Sequence, residues 1–384
     1  MWYNLSMPKS GLAVGIDAGS HALKGLVLSV SKNAPKEPLP RILKKKFIKL
    51  PISYDPQLPA DYGVKLSSKL KEFVLDMVKE SPEKPVRAVI CLGPNLASLS
   101  IQKYVVQAKN KEKILTAAAS EKYLTNLKNQ FVEKDSGGEV ILLETLANNY
   151  AVDYKEVKVP ESFELSFRVI VPKLTPEASA MAKEIKGLLG GLDLEFFPNS
   201  YLHQLALTKA YGTHTAFVID VGGENTQLTL LKDGSMAHTH SFPLGARHFI
   251  RGMAKIAELT YEEAENLKKQ YVQGLVNEAR KKQIHSFLIE ESKLWYKMFA
   301  ESIDNFYHLG PLPTQIFMFG GGANLPEIGN LVRGGEWMRN ASFVDYPKVN
   351  ILGGESLFEG NTFDGYLHGP EDFNLASSVF YLSR

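Results

Sequence analysis

The stretch "TAFVIDVGGENTQLTLLKDG", Thr215 to Gly234, decides how this chain is read. An apolar run reaches Asp220, turns on Gly222 and Gly223, and leaves as a second apolar strand. Glycine lets backbone approach a phosphate closely and expose N–H donors, so this layout suits an anion-holding turn. Glu224 is the awkward residue, an anion where a third glycine is expected. On its own the segment is equally a structural hairpin between two buried strands.

A second copy sharpens the reading. "VGIDAGSHALKGLVL" (Val14 to Leu28) aligns without a gap on "FVIDVGGENTQLTLL" (Phe217 to Leu231), which matches Asp17 to Asp220, Gly19 to Gly222 and Ser20 to Gly223. Two such copies predict two related lobes with one hairpin each. Facing hairpins can clamp a triphosphate, and an aspartate closing each first strand can hold Mg²⁺, which prefers oxygen ligands and keeps waters. A third element, "IFMFGGGANLPEI" (Ile316 to Ile328), is a buried strand, three glycines and a helix starting near Asn324 or Pro326, with Asn as cap. Bare backbone at such a turn accommodates a flat ring or a phosphate, although it also serves as a tight strand–helix joint. In "LTYEEAENLKKQY", Thr260 and Glu263 form a capping box. Glu265 and Lys268 follow on one helical face, where a solvated ion pair is the plainer reading.

Composition excludes other classes. With 384 residues, 44% hydrophobic and 22% charged, the chain is globular and long enough for at least two cores. A net charge of +2 argues against nucleic acid. The basic run "RILKKKFIKL" (Arg41 to Leu50) reads as a solvated edge strand rather than a binding patch. The single cysteine, Cys91, excludes an internal disulfide and Cys-based metal frameworks. No run approaches the apolar length of a membrane span and "MWYNLSMPKS" lacks a signal core, so a cytoplasmic protein is expected. His238 and His240 share a strand face without a third ligand, which favours an exposed hairpin over a metal site.

Periodicity places strands at Leu12–Asp17 and Leu23–Val30, a Pro- and Lys-rich hairpin to about Pro59, and a helix at Tyr62–Lys79 with Leu66, Leu70, Phe73, Val74 and Met77 on one face. A small α/β unit follows: a charged helical middle (Lys109 to Lys128), with "VILLETLANNYAVDY" and "SFELSFRVIVPK" as neighbouring strands. Helix Pro176–Leu189, a strand near Leu194, the opening motif, a helical region from Gly245 to Leu309, strand "TQIFMFGGG" and helical "FNLASSVFYLSR" complete the chain.

Taken together, "GIDAGSHALKGLVL", "NNYAVDY", "VIDVGGENTQLTLLKDG", "SFPLGARHF", "TYEEAENLKK" and "MFGGGANLP" resemble the actin/Hsp70/sugar-kinase superfamily, and most of all its bacterial PilM/FtsA branch, over Gly11 to Tyr381. The resemblance implies an α/β fold of two lobes built from duplicated ribonuclease-H-like domains, with an inserted 1C subdomain and no 1B. Its implied divisions are IA at 11–96 and 173–212, 1C at 97–172, IIA at 213–244 and 313–357, IIB at 245–312, and a return to IA at 358–384. ATP with Mg²⁺ is the implied cofactor. Gly19, Ser20, His21 and Lys24 would line the first phosphate loop and Gly222, Gly223 and Asn225 the second, with Asp17 and Asp220 toward the metal. Gly320, Gly321, Gly322 and Asn324 would back the adenosine, and Glu265 with Lys268 would meet ribose or base. Glu224, Gln204 and His203 are the candidates for positioning water, while Gln227 stands where relatives carry an aspartate.

The resemblance further implies a scaffold of a pilus or type II secretion platform, at the cytoplasmic face of the inner membrane. It would bind the short cytoplasmic tail of a bitopic, PilN-like protein near 1C and reach the membrane only through that partner, with self-association into dimers or filaments also open. Two alternatives stand beside it: an FtsA-like division protein, and a sugar- or acid-kinase-like phosphotransferase. The ending "FNLASSVFYLSR", without a linker and amphipathic helix, favours the pilus type.

Overall fold

The computed structural model describes residues 11–30, 41–51, 62–107, 121–127, 129, 140–152, 164–358 and 365–382. Expectations for the hairpin arm between Val30 and Arg41, for Pro59 and for most of the charged stretch 109–128 fall outside them.

In chain order the elements are β1 (Gly11–Ala18), β2 (Ala22–Val30), β3 (Arg41–Lys49), α1 (Tyr62–Lys79), β4 (Arg87–Leu92) and β5 (Ala97–Gln107). A helical segment α2 (residues 121–127) precedes β6 (Ile141–Ala147), β7 (Tyr150–Ala151), β8 (Glu164–Leu174), α3 (Pro176–Leu188), β9 (Asp193–Pro198) and α4 (Asn199–Ala210). The second half holds β10 (Ala216–Val221), β11 (Thr226–Lys232), β12 (Ser235–Phe242), α5 (Ala246–Ile256), α6 (Tyr261–Val272), α7 (Glu278–Ile303), β13 (Gln315–Phe319), α8 (Pro326–Gly334), α9 (Trp337–Asn340), β14 (Lys348–Ile351) and α10 (Phe373–Leu382).

The duplication read in the sequence is a duplication of sheets. One sheet runs β3-β2-β1-β4-β9 and the other β12-β11-β10-β13-β14. In each, the central strand pairs antiparallel with the second strand of its hairpin and parallel with a later strand. Asp17 pairs with Lys24 as Asp220 pairs with Gln227, so both aspartates occupy the same register position. Strands buried on both faces need unbroken apolar runs, and β4 and β10 are buried along their whole length. α1 covers one face of the first sheet with Leu66, Leu70, Phe73, Val74 and Met77, all 3% exposed or less. The small unit forms its own sheet, β5-β8-β6-β7, in which β6 and β8 pair antiparallel as neighbours.

β3 is the edge strand its alternation suggested, but its lysines are partnered. Lys44 and Lys46 reach Glu80, just past α1, and Lys46 also reaches Asp76 on α1, whereas Lys45 and Lys49 point to the opposite face and pair with Asp372 and Glu265. The helix after the three glycines starts at Pro326 with Leu325 as its cap residue, so the expected Asn324 cap is not used. α4 and α10 lack a polar face because both are buried between the sheets. His238 is half-buried, edge-on to Phe306 at 5.0 Å and near His308 at 5.8 Å, and not the exposed hairpin residue expected.

The second core centres on Trp295, which is fully buried. Its ring stacks on Phe299 at 5.1 Å and its Nε1–H donates to Thr226 Oγ1 at 2.9 Å. Trp295→Ala is expected to destabilise the chain by about 3–5 kcal/mol, read as a lowered urea midpoint; an unchanged midpoint would remove Trp295 from the centre of that core.

Candidate functional site

Both hairpins, the end of β3, the β4–β5 turn, α6, the Gly320 turn and residues 368–374 enclose one cavity of about 670 Å³. Of the residues singled out from sequence, Asp17, Gly19, Ser20, His21, Lys24, Asp220, Gly222, Gly223, Asn225, Glu265, Lys268, Gly320, Gly321 and Asn324 line it.

The hairpin turns touch. The Glu224 N–H donates to Ser20 Oγ at 2.9 Å, and a Cβ on Gly223 would lie 2.8 Å from that oxygen. Only glycine permits this approach. Gly320 has φ +90°, and a Cβ there would lie 2.5 Å from Asp220 Oδ1. The glycine therefore leaves open the space beside that oxygen.

Asp17 and Asp220 close their strands inside the cavity, each 5% exposed. Burial pushes the Asp17 carboxyl up to about 6, against the attraction of Lys24. Burial, with the charge of Asp17 adding to it, pushes Asp220 up to about 7. Asp220 Oδ2 accepts from Asn199 Nδ2 at 3.1 Å and Asn374 Nδ2 at 3.4 Å, while Oδ1 is buried with no partner among the described residues. His203 acts behind this pair. It is buried, held down to about 3 by that burial, and its Nε2 meets Asn374 Oδ1 at 2.6 Å. A neutral ring donating there leaves the Asn374 amide free to donate to Asp220.

Opposite stand the cations. Lys24 Nζ donates to Asp372 Oδ1 at 2.9 Å and to the Glu371 carbonyl, and Lys45 holds Asp372 Oδ2 at 2.8 Å. Burial would raise the Asp372 carboxyl, yet the two lysines hold it below its ordinary value. Glu265 is likewise raised by burial but held well below the carboxylate range by His21, Lys49 and Lys269. Lys268 donates to the Gly321 carbonyl at 3.4 Å, and burial lowers its ammonium.

Besides His203, three expected residues lie outside the lining. Glu224 does not line the cavity: Arg251 grips its carboxylate with two bonds of 2.9 and 2.7 Å, and Arg247 reaches it at 3.4 Å. This pairing, absent from any reading of the turn alone, explains how the loop tolerates an anion. Gln204 holds the β11–β12 turn, donating to the Gly234 carbonyl at 3.0 Å and accepting from the Met236 N–H at 3.2 Å. Gly322 also stands outside the lining, its N–H donating to the Val221 carbonyl at 2.8 Å. Conversely, sequence reasoning missed Lys45, Asn95, Asn199, Glu371, Asp372 and Asn374, all cavity residues. Alternation in the basic strand could have found Lys45; no local signal marks the others.

Among the described residues no three His, Cys, Asp or Glu side chains form a metal-binding group. Asp17 and Asp220 could hold a divalent cation only with oxygens from a ligand or water.

The family model for cell division protein FtsA matches residues 217–348. No curated protein sequence matches the chain. Among solved structures it is similar to the PilM-PilN type IV pilus biogenesis complex, at 17% identity over 98% of this chain and 100% of that one, with a TM-score of 0.61. It is more distantly similar to the ethanolamine utilization protein EutJ of Carboxydothermus hydrogenoformans (13% identity, 98% and 92% covered, TM-score 0.46). A third is MreB5 of Spiroplasma citri bound to ADP (10% identity, 96% and 95% covered, TM-score 0.46). The likeness to the PilM-PilN structure shows the fold, the two-lobed actin-like fold.

The two raised aspartates give a pH signature. Between the unfolded value of 3.8 and about 7 the native Asp220 holds a proton that the unfolded chain has released, so its stabilising contribution is lost as pH rises through about 7. Asp220→Asn is expected to be more stable than the unaltered chain at about pH 8, by on the order of 2 kcal/mol. The gain should shrink toward about pH 5, as measured by urea denaturation, and a difference independent of pH would contradict the raised carboxyl.

Proposed function

We propose that this chain is a nucleotide-dependent scaffold that binds ATP with Mg²⁺ between its lobes and presents its small sheet to a short segment of a PilN-like membrane protein. The observation that carries the nucleotide half is the buried Asp220 Oδ1, which has no partner among the described residues and lies beside the space kept open at Gly320. The cavity's donor set fits a phosphate chain: glycine turns from both hairpins, with Lys24 and Ser20 beside them. Asp17 and Asp220 would hold the cation, while Gly320, Gly321, Asn324, Glu265 and Lys268 would hold the nucleoside. A bound Mg²⁺ would neutralise charge between the carboxylates and the phosphates. The cavity's own cations are held ready by a carboxylate, Lys24 and Lys45 by Asp372, so a phosphate competes with this partner. Glu224 and Gln204 are engaged outside the cavity, which supports binding over rapid turnover.

The partner half rests on the PilM-PilN likeness and on β5. This strand of 11 residues pairs with β8 on one side and with no other described strand, leaving an edge to which an extended segment can add. Among the described residues no helix is long and apolar enough to cross a membrane, which is consistent with membrane contact through a partner at the cytoplasmic face. The FtsA match favours a second reading, a division-type tether that meets the membrane directly.

Mg-ATP at about 100 times its Kd should add about 2.7 kcal/mol of stability, visible as a raised melting temperature. Asp17→Ala and Asp220→Ala should lose that rise. If no nucleotide shifts the unaltered chain, the nucleotide reading fails. For the choice of role, the chain mixed with liposomes alone should stay in the unbound fraction on flotation; co-flotation would transfer support to the division-type tether.

A further inference from the structure

Besides Asp220 Oδ1, three other polar atoms on cavity residues are buried without a hydrogen-bond partner among the described residues: Asn95 Nδ2, Gln227 Oε1 and Glu265 Oε2, the last of them ion-paired with Lys49. Gln227 faces Asp220 in the strand register. Asn95 comes from the first lobe, in the turn between β4 and β5. That turn is rigidly made. The Gly93 N–H donates to the Ala18 carbonyl at 3.4 Å, and the Leu96 and Ala97 N–H groups return to the Gly93 carbonyl at 3.0 and 3.1 Å. Asn95 Oδ1 accepts from Asn225 Nδ2, and the Asn225 carbonyl closes the second hairpin by accepting from the Gly222 N–H at 2.9 Å. Asn95 is therefore oriented by the second hairpin while its own NH₂ is left unused. Leaving a buried donor unpaired is costly, so the position makes sense when a ligand oxygen completes it.

The place of that oxygen follows from what surrounds Asn95. Lys268, Gly320, Gly321 and Asn324 form the wall assigned to the nucleoside, bound together by the Lys268 contact to the Gly321 carbonyl. Asn95 stands instead beside Asn225 of the second phosphate turn. We propose that Asn95 reads the terminal phosphate of a nucleoside triphosphate, donating from Nδ2 to an oxygen that the diphosphate lacks. This rests on the nucleotide reading above. It also gives the phosphate a route to the partner surface, because β5 begins at Ala97, two residues after Asn95.

The test is a ratio of affinities. Fluorescent ADP and a fluorescent non-hydrolysable ATP analogue are titrated against the unaltered chain, Asn95→Ala and Asn95→Asp, and anisotropy is read. A hydrogen bond to a charged phosphate contributes about 1.5–3 kcal/mol, so Asn95→Ala should bind the triphosphate about 10- to 150-fold more weakly and ADP as before. Asn95→Asp, nearly the same shape, should lose more, because its carboxylate faces the phosphate. Equal losses for both nucleotides, or none for either, overturn the assignment, and a merely structural role would give one of these. If the unaltered chain binds neither nucleotide, the nucleotide reading itself has failed. Should Asn95→Ala not fold, the Asn95→Asp ratio decides alone.

Discussion

Two carboxylates, Asp17 and Asp220, end equivalent strands in two lobes and are buried close enough for the charge of Asp17 to raise the proton affinity of Asp220. Burying like charges is unfavourable, and the surrounding residues read as compensation. Asn199 and Asn374 donate to Asp220, His203 orients Asn374, and Lys24 attracts Asp17. The arrangement trades stability for a preorganised site. It keeps one oxygen unpaired among the described residues and the space beside it open.

A second fastening keeps the lobes in place around that pair. Arg247 on α5 is fully buried and donates to the carbonyls of His21, Leu50 and Pro51 in the first lobe. Its Nε reaches His21 Nδ1 at 3.3 Å, which leaves the His21 Nε2–H for Glu265 at 3.4 Å. Glu224 supplies the counter-charge. A buried arginine without one would be strongly unfavourable. The anion that looked out of place in the phosphate turn thus belongs to the inter-lobe joint.

The small sheet is tied to both lobes. β5 leaves directly from the β4 turn, and Arg168 on β8 pairs with Glu144 at 2.9 Å while donating to the Met236 carbonyl on β12 at 2.9 Å. A segment docking on β5 would therefore press on a unit connected to the cavity wall on one side and to the second sheet on the other. Such contiguous contacts can carry coupling between sites.

The duplicated fold and both hairpins could be read from sequence because their signals are local: an apolar run, an aspartate, glycines, an apolar run, twice in register. The Thr260–Glu263 capping box and the buried face of α1 were legible for the same reason, since caps and helical periodicity act within a few residues. What sequence could not supply is whatever depends on distant segments meeting. Asp372 joins Lys24 across 348 positions and Arg247 reaches Leu50 across 197. Asn95 finds Asn225 across 130. A carboxylate such as Glu224 has the same local chemistry whether it faces a phosphate or two arginines. Only the packing of α5 against the second hairpin decided which, because the field at a charge is set by what lies within a few ångströms in space and not in sequence.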